Sequence, residues 1–236
     1  FASHSEYSYL HFLTEIANRG ARDLLLVYPL HQDLHTYRSD SHLHPPLHSS
    51  IQVSPTAPPL SHFASLLDEA TRLNLRVAFM PLLQLQNLDK SINIKENQLT
   101  VKESQQTIKW RGQFIPHQPN TWFKNYWAHL KPVILLLEQH QVHRLVIGSE
   151  LDLFVRTYPQ LWIQFANQVR HHFSKRLTYS SNWDQVADLP SSFWETLDEI
   201  GVSAYFPLES KPSQQNLTLD QRQRIWHFNW IRWKNQ

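Results

Sequence analysis

The sequence predicts an α/β fold in which buried parallel strands alternate with covering helices, as in a (β/α) barrel incomplete at one or both ends. Three observations carry this. Short runs rich in Leu, Val and Ile, at residues 23–28, 75–80, 145–147, 177–180 and 202–205, read as buried strands. Segments with apolar residues at helical spacing separate them. Three successive strands stop in polar or aromatic residues: Ser149-Glu150, then Ser181-Asn182-Trp183-Asp184, then Tyr205-Phe206-Pro207. Side chains at the ends of barrel strands are where active sites form.

The elements follow in order. Residues 7–19 place Tyr9, Leu10, Leu13, Ile16 and Ala17 at helical spacing, and Gly20 is suited to stop that helix. The strand at 23–28 comes next. Residues 31–59 are rich in His, Ser and Pro and read as a loop. A second helix spans 60–73 and a second strand 75–80. Residues 84–106 are polar and read as a long excursion. A third helix covers 122–140, with Pro132 a candidate kink. After the strand at 145–147, helix 158–173 leads to strand 177–180, helix 193–200 to strand 202–205, and a last helix covers 219–233. That makes five clear strands, with Phe1-Ala2-Ser3 read as the end of a sixth; a closed barrel needs eight. No internal repeat or linker breaks the rhythm, so residues 1–236 are expected to be one barrel domain, truncated before strand seven.

Composition narrows the function. Hydrophobic residues make up 41% of the 236, enough for a sizeable core. The formal charge is only +2, so nothing pulls the chain toward nucleic acid or anionic lipid. The absence of Cys excludes disulfides and thiolate metal sites. The longest apolar run, at 133–137, is far short of a membrane span. The compartment stays open, with export and a cytoplasmic location both compatible. His31, His35, His42, His44 and His48 invite a metal reading, but their spacing fits no specific zinc motif and Pro45-Pro46 stiffens the segment. A solvated loop is the default, and no metal is expected. With four Gly in all, the chain has no phosphate-binding loop.

Glu150 is the residue that stands out. It follows the β-branched run Leu145-Val146-Ile147, where a carboxylate would sit on the barrel rim. Glycoside hydrolysis typically uses two carboxylates flanking the bond, one of them a proton donor to the leaving oxygen. Asn182 and Trp183 suit a sugar cleft, the amide binding hydroxyls and the indole stacking on pyranose C–H groups. Tyr205, Trp110 and Trp122 are further candidates for the cleft. Each Trp or Tyr has core packing as its competing explanation, and for Trp183 the two are evenly matched. Asp184 reads better as a helix cap than as a sugar ligand. Trp226, Trp230 and Trp233, at i, i+4 and i+7, read as a core stripe.

Val146-Ile147-Gly148-Ser149-Glu150-Leu151, then Leu177-Thr178-Tyr179-Ser180-Ser181-Asn182-Trp183-Asp184, then the run from Phe193-Trp194-Glu195 to Ala204-Tyr205-Phe206-Pro207-Leu208 resemble glycoside hydrolase family 113. Upstream, Trp110-Arg111-Gly112 and Trp122-Phe123-Lys124-Asn125-Tyr126 resemble the same family. The resemblance implies a TIM-type (β/α)8 barrel of clan A and a retaining hydrolase of β-linked polysaccharide, mannan first, working without a cofactor. It implies that Glu150, at the end of strand four, is the acid/base. Ser149 stands where the wider clan often carries Asn. The nucleophile Glu at the end of strand seven has no counterpart in this chain, and Glu209 belongs to the wrong strand. A catalytically inactive barrel serving as a carbohydrate-binding scaffold is therefore the rival expectation. A second rival is a component of an assembly, docking through its Trp-rich C-terminal helix.

Overall fold

The computed structural model describes residues 6–33, 51–86, 110–205 and 218–234. Among them run α1 (Glu6–Asn18), β1 (Asp23–Asp33), β2 (Ile51–Val53), α2 (Leu60–Arg72), β3 (Arg76–Gln86), α3 (Pro119–Gln139) and β4 (Arg144–Ser149). Then come α4 (Asp152–Thr157), α5 (Pro159–Arg170), β5 (Arg176–Asn182), α6 (Ser191–Trp194), β6 (Glu199–Ser203) and α7 (Leu219–Lys234). The strands form one sheet in the order β2-β1-β3-β4-β5-β6. All neighbours pair in parallel except β2, which lies antiparallel on the outer edge of β1. The sheet is an open run of βα units, and the described residues do not close it into a barrel.

Local chemistry explains the boundaries. α1 stops because Gly20 adopts φ +95°, which lets Gly20 N–H donate to Ala17 O and Ala21 N–H to Ile16 O. α3 starts at Pro119, whose missing N–H costs nothing at the first helical position. Its apolar residues Trp122, Phe123, Tyr126, Leu130, Val133, Ile134 and Leu137 recur every three or four residues, and all are buried. Pro132 lies on the exposed side of the same helix, which runs through it.

Strand alternation defines two faces. Tyr28, Leu30 and Gln32 of β1, with Val77, Phe79 and Leu83 of β3, are buried. Tyr28 and Phe79 both meet Phe63 of α2 edge-on or nearly so. On the opposite face of β1, Leu25 and Val27 are exposed. The densest packing lies where α3, α4 and α5 cover β4 and β5. There Trp122 stacks on Tyr126 at 4.6 Å and meets Phe154 edge-on at 5.1 Å, while Trp162 meets Tyr179 at 5.6 Å.

The structure departs from the sequence expectation at several elements. The segment read as a loop contributes β2, and β1 extends to Asp33, so His31 is a strand residue. His31 is engaged by Gln84 at 3.1 Å and by Gln86 at 2.7 Å. His35, His42, His44, His48, Phe1-Ala2-Ser3, Glu209 and most of the polar excursion lie outside the described residues. The short helix α4 precedes α5, where one helix was expected. The helix expected at 193–200 ends at Trp194, and Glu199 already belongs to β6. The core stripe expected on α7 is corrected at Trp226, which is 42% exposed, with Phe228 and Ile231 also exposed. The side chains of Trp230 and Trp233 are outside the described set.

Glu199 enters the sheet because two cations await it. Arg144 at the start of β4 and Arg176 at the start of β5 both donate to its carboxylate. The Arg144 guanidinium, followed by that of Arg176, holds the Glu199 carboxyl below its ordinary value near 4.5, against the effect of partial burial. A depressed folded-state value stabilises the fold above the unfolded-state value, and that contribution is lost as pH falls through the folded one. Glu199→Gln is therefore expected to lower the urea midpoint at pH 7 and to converge with the parent only as pH falls through the lowered folded-state value. Parallel curves across that range would show that the pair contributes nothing.

Candidate active site

The end of β4 is built to turn sharply. β4 and β5 pair in register up to Val146 and Thr178, then resume at Ser149 and Ser180, so β4 carries one extra residue. Such a bulge re-aims the side chains that follow. Gly148 sits inside it, and a Cβ there would lie 2.8 Å from the Trp162 ring and 3.1 Å from that of Tyr179. The bulge is held from behind by Tyr126 of α3, whose hydroxyl donates to Ile147 O at 3.0 Å.

Glu150 then takes φ +52°. A left-handed backbone is unfavourable for a residue with a Cβ, costing on the order of 1–2 kcal/mol. Asn74 and Gln141 share this conformation, but each follows the end of a helix, where such residues are common. Glu150 follows a strand, and its neighbours hold it there. Its N–H donates to Ser180 O at 2.7 Å, and the next N–H, of Leu151, donates to the Tyr179 hydroxyl at 2.6 Å. The side chain is buried, the residue being 6% exposed. Its Oε2 accepts from Arg111 Nη2 at 3.0 Å and from Trp110 Nε1 at 3.3 Å.

Asp152, two residues on, carries a second carboxylate that sequence reasoning missed. The Tyr179 hydroxyl donates to its Oδ1 at 3.0 Å and Asn182 N–H to its Oδ2 at 3.0 Å. Burial pushes the Asp152 carboxyl up from its ordinary value, against hydrogen bonds from Asn182, Ser181 and Tyr179, and the charge of Glu150 adds to the rise. Burial also raises the Tyr179 phenol well above its ordinary value, with the Asp152 charge next in effect. Asp152 thus ties the end of β4 to the end of β5 through Tyr179 and Asn182. In the sequence it is one acid at the start of a short helix, and nothing in its spacing marks it.

The other expected residues divide. Asn182 ends β5, beside Ser203 of β6 in register, so Glu150, Asn182 and the residues after β6 share one rim of the sheet. Its side chain donates to Asp184 Oδ1 at 2.8 Å, and Asn182 O closes a turn by accepting from Gln185 N–H. Asp184 therefore braces that turn, and the helix-cap reading is corrected: the 3-10 turn at Val186–Asp188 has no side-chain cap. Trp183 is half-buried at the tip of the same turn. Tyr205 lies two residues past β6 and is 82% exposed, outside the core of the described residues. Trp110 is 37% exposed and touches Glu150 directly. Trp122 is corrected outright. It is 0% exposed, its faces are covered by rings, and its indole N–H donates to Gln32 Oε1 at 3.0 Å, so it offers no surface to a sugar.

A concavity between α2, the start of β3 and the turn before β4, lined by Thr71, Arg76, His140 and His143, opens at the opposite end of the strands from Glu150. In barrels that end serves stability, and chemistry sits where the strands finish. Among the described residues no group of three or more His, Asp or Glu could hold a metal ion. No helix among them is long and apolar enough to cross a membrane.

Comparison with solved structures returns β-mannanases. A GH113 β-1,4-mannanase superposes with a TM-score of 0.61 at 19% identity, over 86% of this chain and 57% of that one. A complex structure of a GH113 β-1,4-mannanase gives 0.60 at 19% identity, over 97% and 63%. A GH113 β-mannanase from Alicyclobacillus acidocaldarius in complex with ManMIm gives 0.64 at 16% identity, over 87% and 59%. At such identities the likeness shows the TIM-barrel fold, and this chain spans 57–63% of those proteins' length. No curated protein matches the chain. The profile of Glycoside Hydrolase Family 113 matches residues 55–228, which take in Trp110, Arg111, Glu150, Asn182 and Trp183. With the open α/β sheet, the matched rim and most of the length covered, the chain belongs to glycoside hydrolase family 113.

Proposed function

We propose that this chain acts on a β-linked polysaccharide of the mannan type as a retaining glycoside hydrolase, with Glu150 as the acid/base. One observation carries the reading: a buried carboxylate, in a strained backbone conformation, at the end of a parallel strand. Strain of this kind persists only where the surroundings over-determine it, and it clusters at functional sites. Family membership supports the reaction class, and the mannanase neighbours suggest the sugar. Glu150 would protonate the glycosidic oxygen as the bond breaks and then take a proton from water. The retaining route also requires a nucleophilic carboxylate about 5–5.5 Å away. Asp152 is a poor candidate, because Tyr179, Ser181 and Asn182 already occupy its oxygens.

The test is hydrolysis of β-1,4-mannooligosaccharides followed by NMR. New reducing ends that form first as the β-anomer support the proposal. Products that form first as the α-anomer would refute retention. Binding without hydrolysis would favour a carbohydrate-binding or assembly scaffold, a reading to which the exposed Trp226, Phe228 and Ile231 of α7 lend some support.

In this reading Asn182, Trp183 and Tyr205 line the sugar path. Trp183→Ala is expected to weaken oligosaccharide binding by roughly 1–3 kcal/mol, as loss of an aromatic anchor does. Titration calorimetry checks it, and unchanged affinity in a folded variant would remove Trp183 from the sugar path.

A further inference from the structure

We propose that Trp110 and Arg111 are positioning residues for Glu150, seated by Gly112, which together hold Oε2 and leave Oε1 as the oxygen that carries the proton. This rests on the acid/base role given to Glu150 above.

The argument begins with a tight turn. Gln113 N–H donates to Trp110 O at 3.0 Å and Phe114 N–H to Arg111 O at 3.0 Å, closing the 3-10 turn at Arg111–Gln113. Phe114 anchors the turn in the core, buried against Trp122 and edge-on to Phe154. Trp110 enters with extended backbone, and its ring folds back over Gly112. A Cβ on Gly112 would lie 2.1 Å from Cη2 and from Cζ3 of that ring, so any other residue there expels the indole from its seat. With glycine in place, the indole N–H reaches Glu150 Oε2, and the neighbouring guanidinium reaches the same atom. The sequence Trp-Arg-Gly thus supplies two donors and the space one of them needs.

The consequence is an asymmetric carboxylate. Two donors converge on Oε2, and among the described residues none donates to Oε1. A protonated acid needs its O–H free to aim at the leaving group, and an oxygen already accepting two N–H groups is badly placed to carry it. As the glycosidic C1–O bond breaks, its electron pair stays on the departing oxygen, which takes the proton from Oε1. The nucleophilic carboxylate of the retaining route takes C1. Glu150 is left as a carboxylate whose charge on Oε2 meets donors already in place, so no reorganisation is needed at that moment.

Two measurements on the full chain test this. The first needs no activity. The indole N–H resonance identified as Trp110 by its absence in Trp110→Phe is expected to move in both Glu150→Gln and Gly112→Ala. A resonance that stays put in Glu150→Gln would overturn the proposal. The second splits kcat from KM. Trp110→Phe is expected to lower kcat about 10-fold on mannooligosaccharides, whose leaving group needs a proton, with KM changed less than about twofold. On an aryl mannoside with an acidic phenol, which departs unprotonated, kcat/KM, which reports only the step that breaks the glycosidic bond, is expected to fall less than about twofold. Equal losses on both substrates, or a raised KM with unchanged kcat, would make Trp110 a sugar platform and refute the positioning role. A parent protein that hydrolyses neither substrate removes the hydrolase reading, and the resonance shifts then decide the clamp by themselves.

Discussion

Replacing Glu150 by Gln is expected to cut turnover of mannooligosaccharides by about 10²–10⁴-fold, the usual contribution of a positioned proton donor. Gln keeps the length and an acceptor oxygen, so Arg111 and Trp110 can still donate to it and the left-handed turn at residue 150 is undisturbed. What disappears is a group able to give up and recover a proton. Affinity for the oligosaccharide, measured by calorimetry on the inactive variant, is expected to stay within about threefold of the parent, because the loss falls on the transition state. The amide is also neutral, so the change leaves Arg111 beside an uncharged partner, and a modest fall in melting temperature is expected with it. Turnover that survives the substitution would remove Glu150 from the chemistry altogether.

The second large effect is on stability. Trp122→Ala is expected to cost about 3–5 kcal/mol, the range for removing a large buried aromatic side chain. The indole is fully enclosed by Tyr126, Phe123, Phe154, Phe114 and Trp162, so its removal leaves a cavity that none of those rings can fill alone. It also strands the amide oxygen of Gln32, which is itself buried and loses the indole donor. Since a domain of this kind has about 5–15 kcal/mol in all, much of the total is at stake. Urea denaturation is the measurement. A variant of parental stability that bound sugar less tightly would restore Trp122 to the cleft.

Trp122 also shows where sequence reading ran out. The parallel strands were legible from short apolar runs, plainest in β1, β3 and β4, bounded by polar residues and turn signals. Glu150 was legible for the same reason in reverse: a charge at the end of such a run needs an explanation. Which tryptophans face a cleft was not legible, because an indole suits a core and a sugar face equally well. Asp152 escaped notice because its partners, Tyr179 and the N–H of Asn182, come from another strand. The end of α6 was misjudged because the run from Phe193 to Ile200 has a helical pattern, while two arginines from other strands draw Glu199 into the sheet. Arg111 lay in plain view beside Trp110, yet its role depends on a turn whose geometry only Gly112 permits.

The hydroxyl of Tyr126 reaches from the outer layer to the carbonyl of Ile147, three residues before Glu150. The outer helix and the turn that carries Glu150 are therefore mechanically linked through that O–H group. A random screen for lost turnover would recover substitutions along the inward side of α3 as readily as ones on the rim. If Glu150 is the proton donor proposed above, anyone engineering this scaffold for tougher packing would be retuning its chemistry at the same stroke.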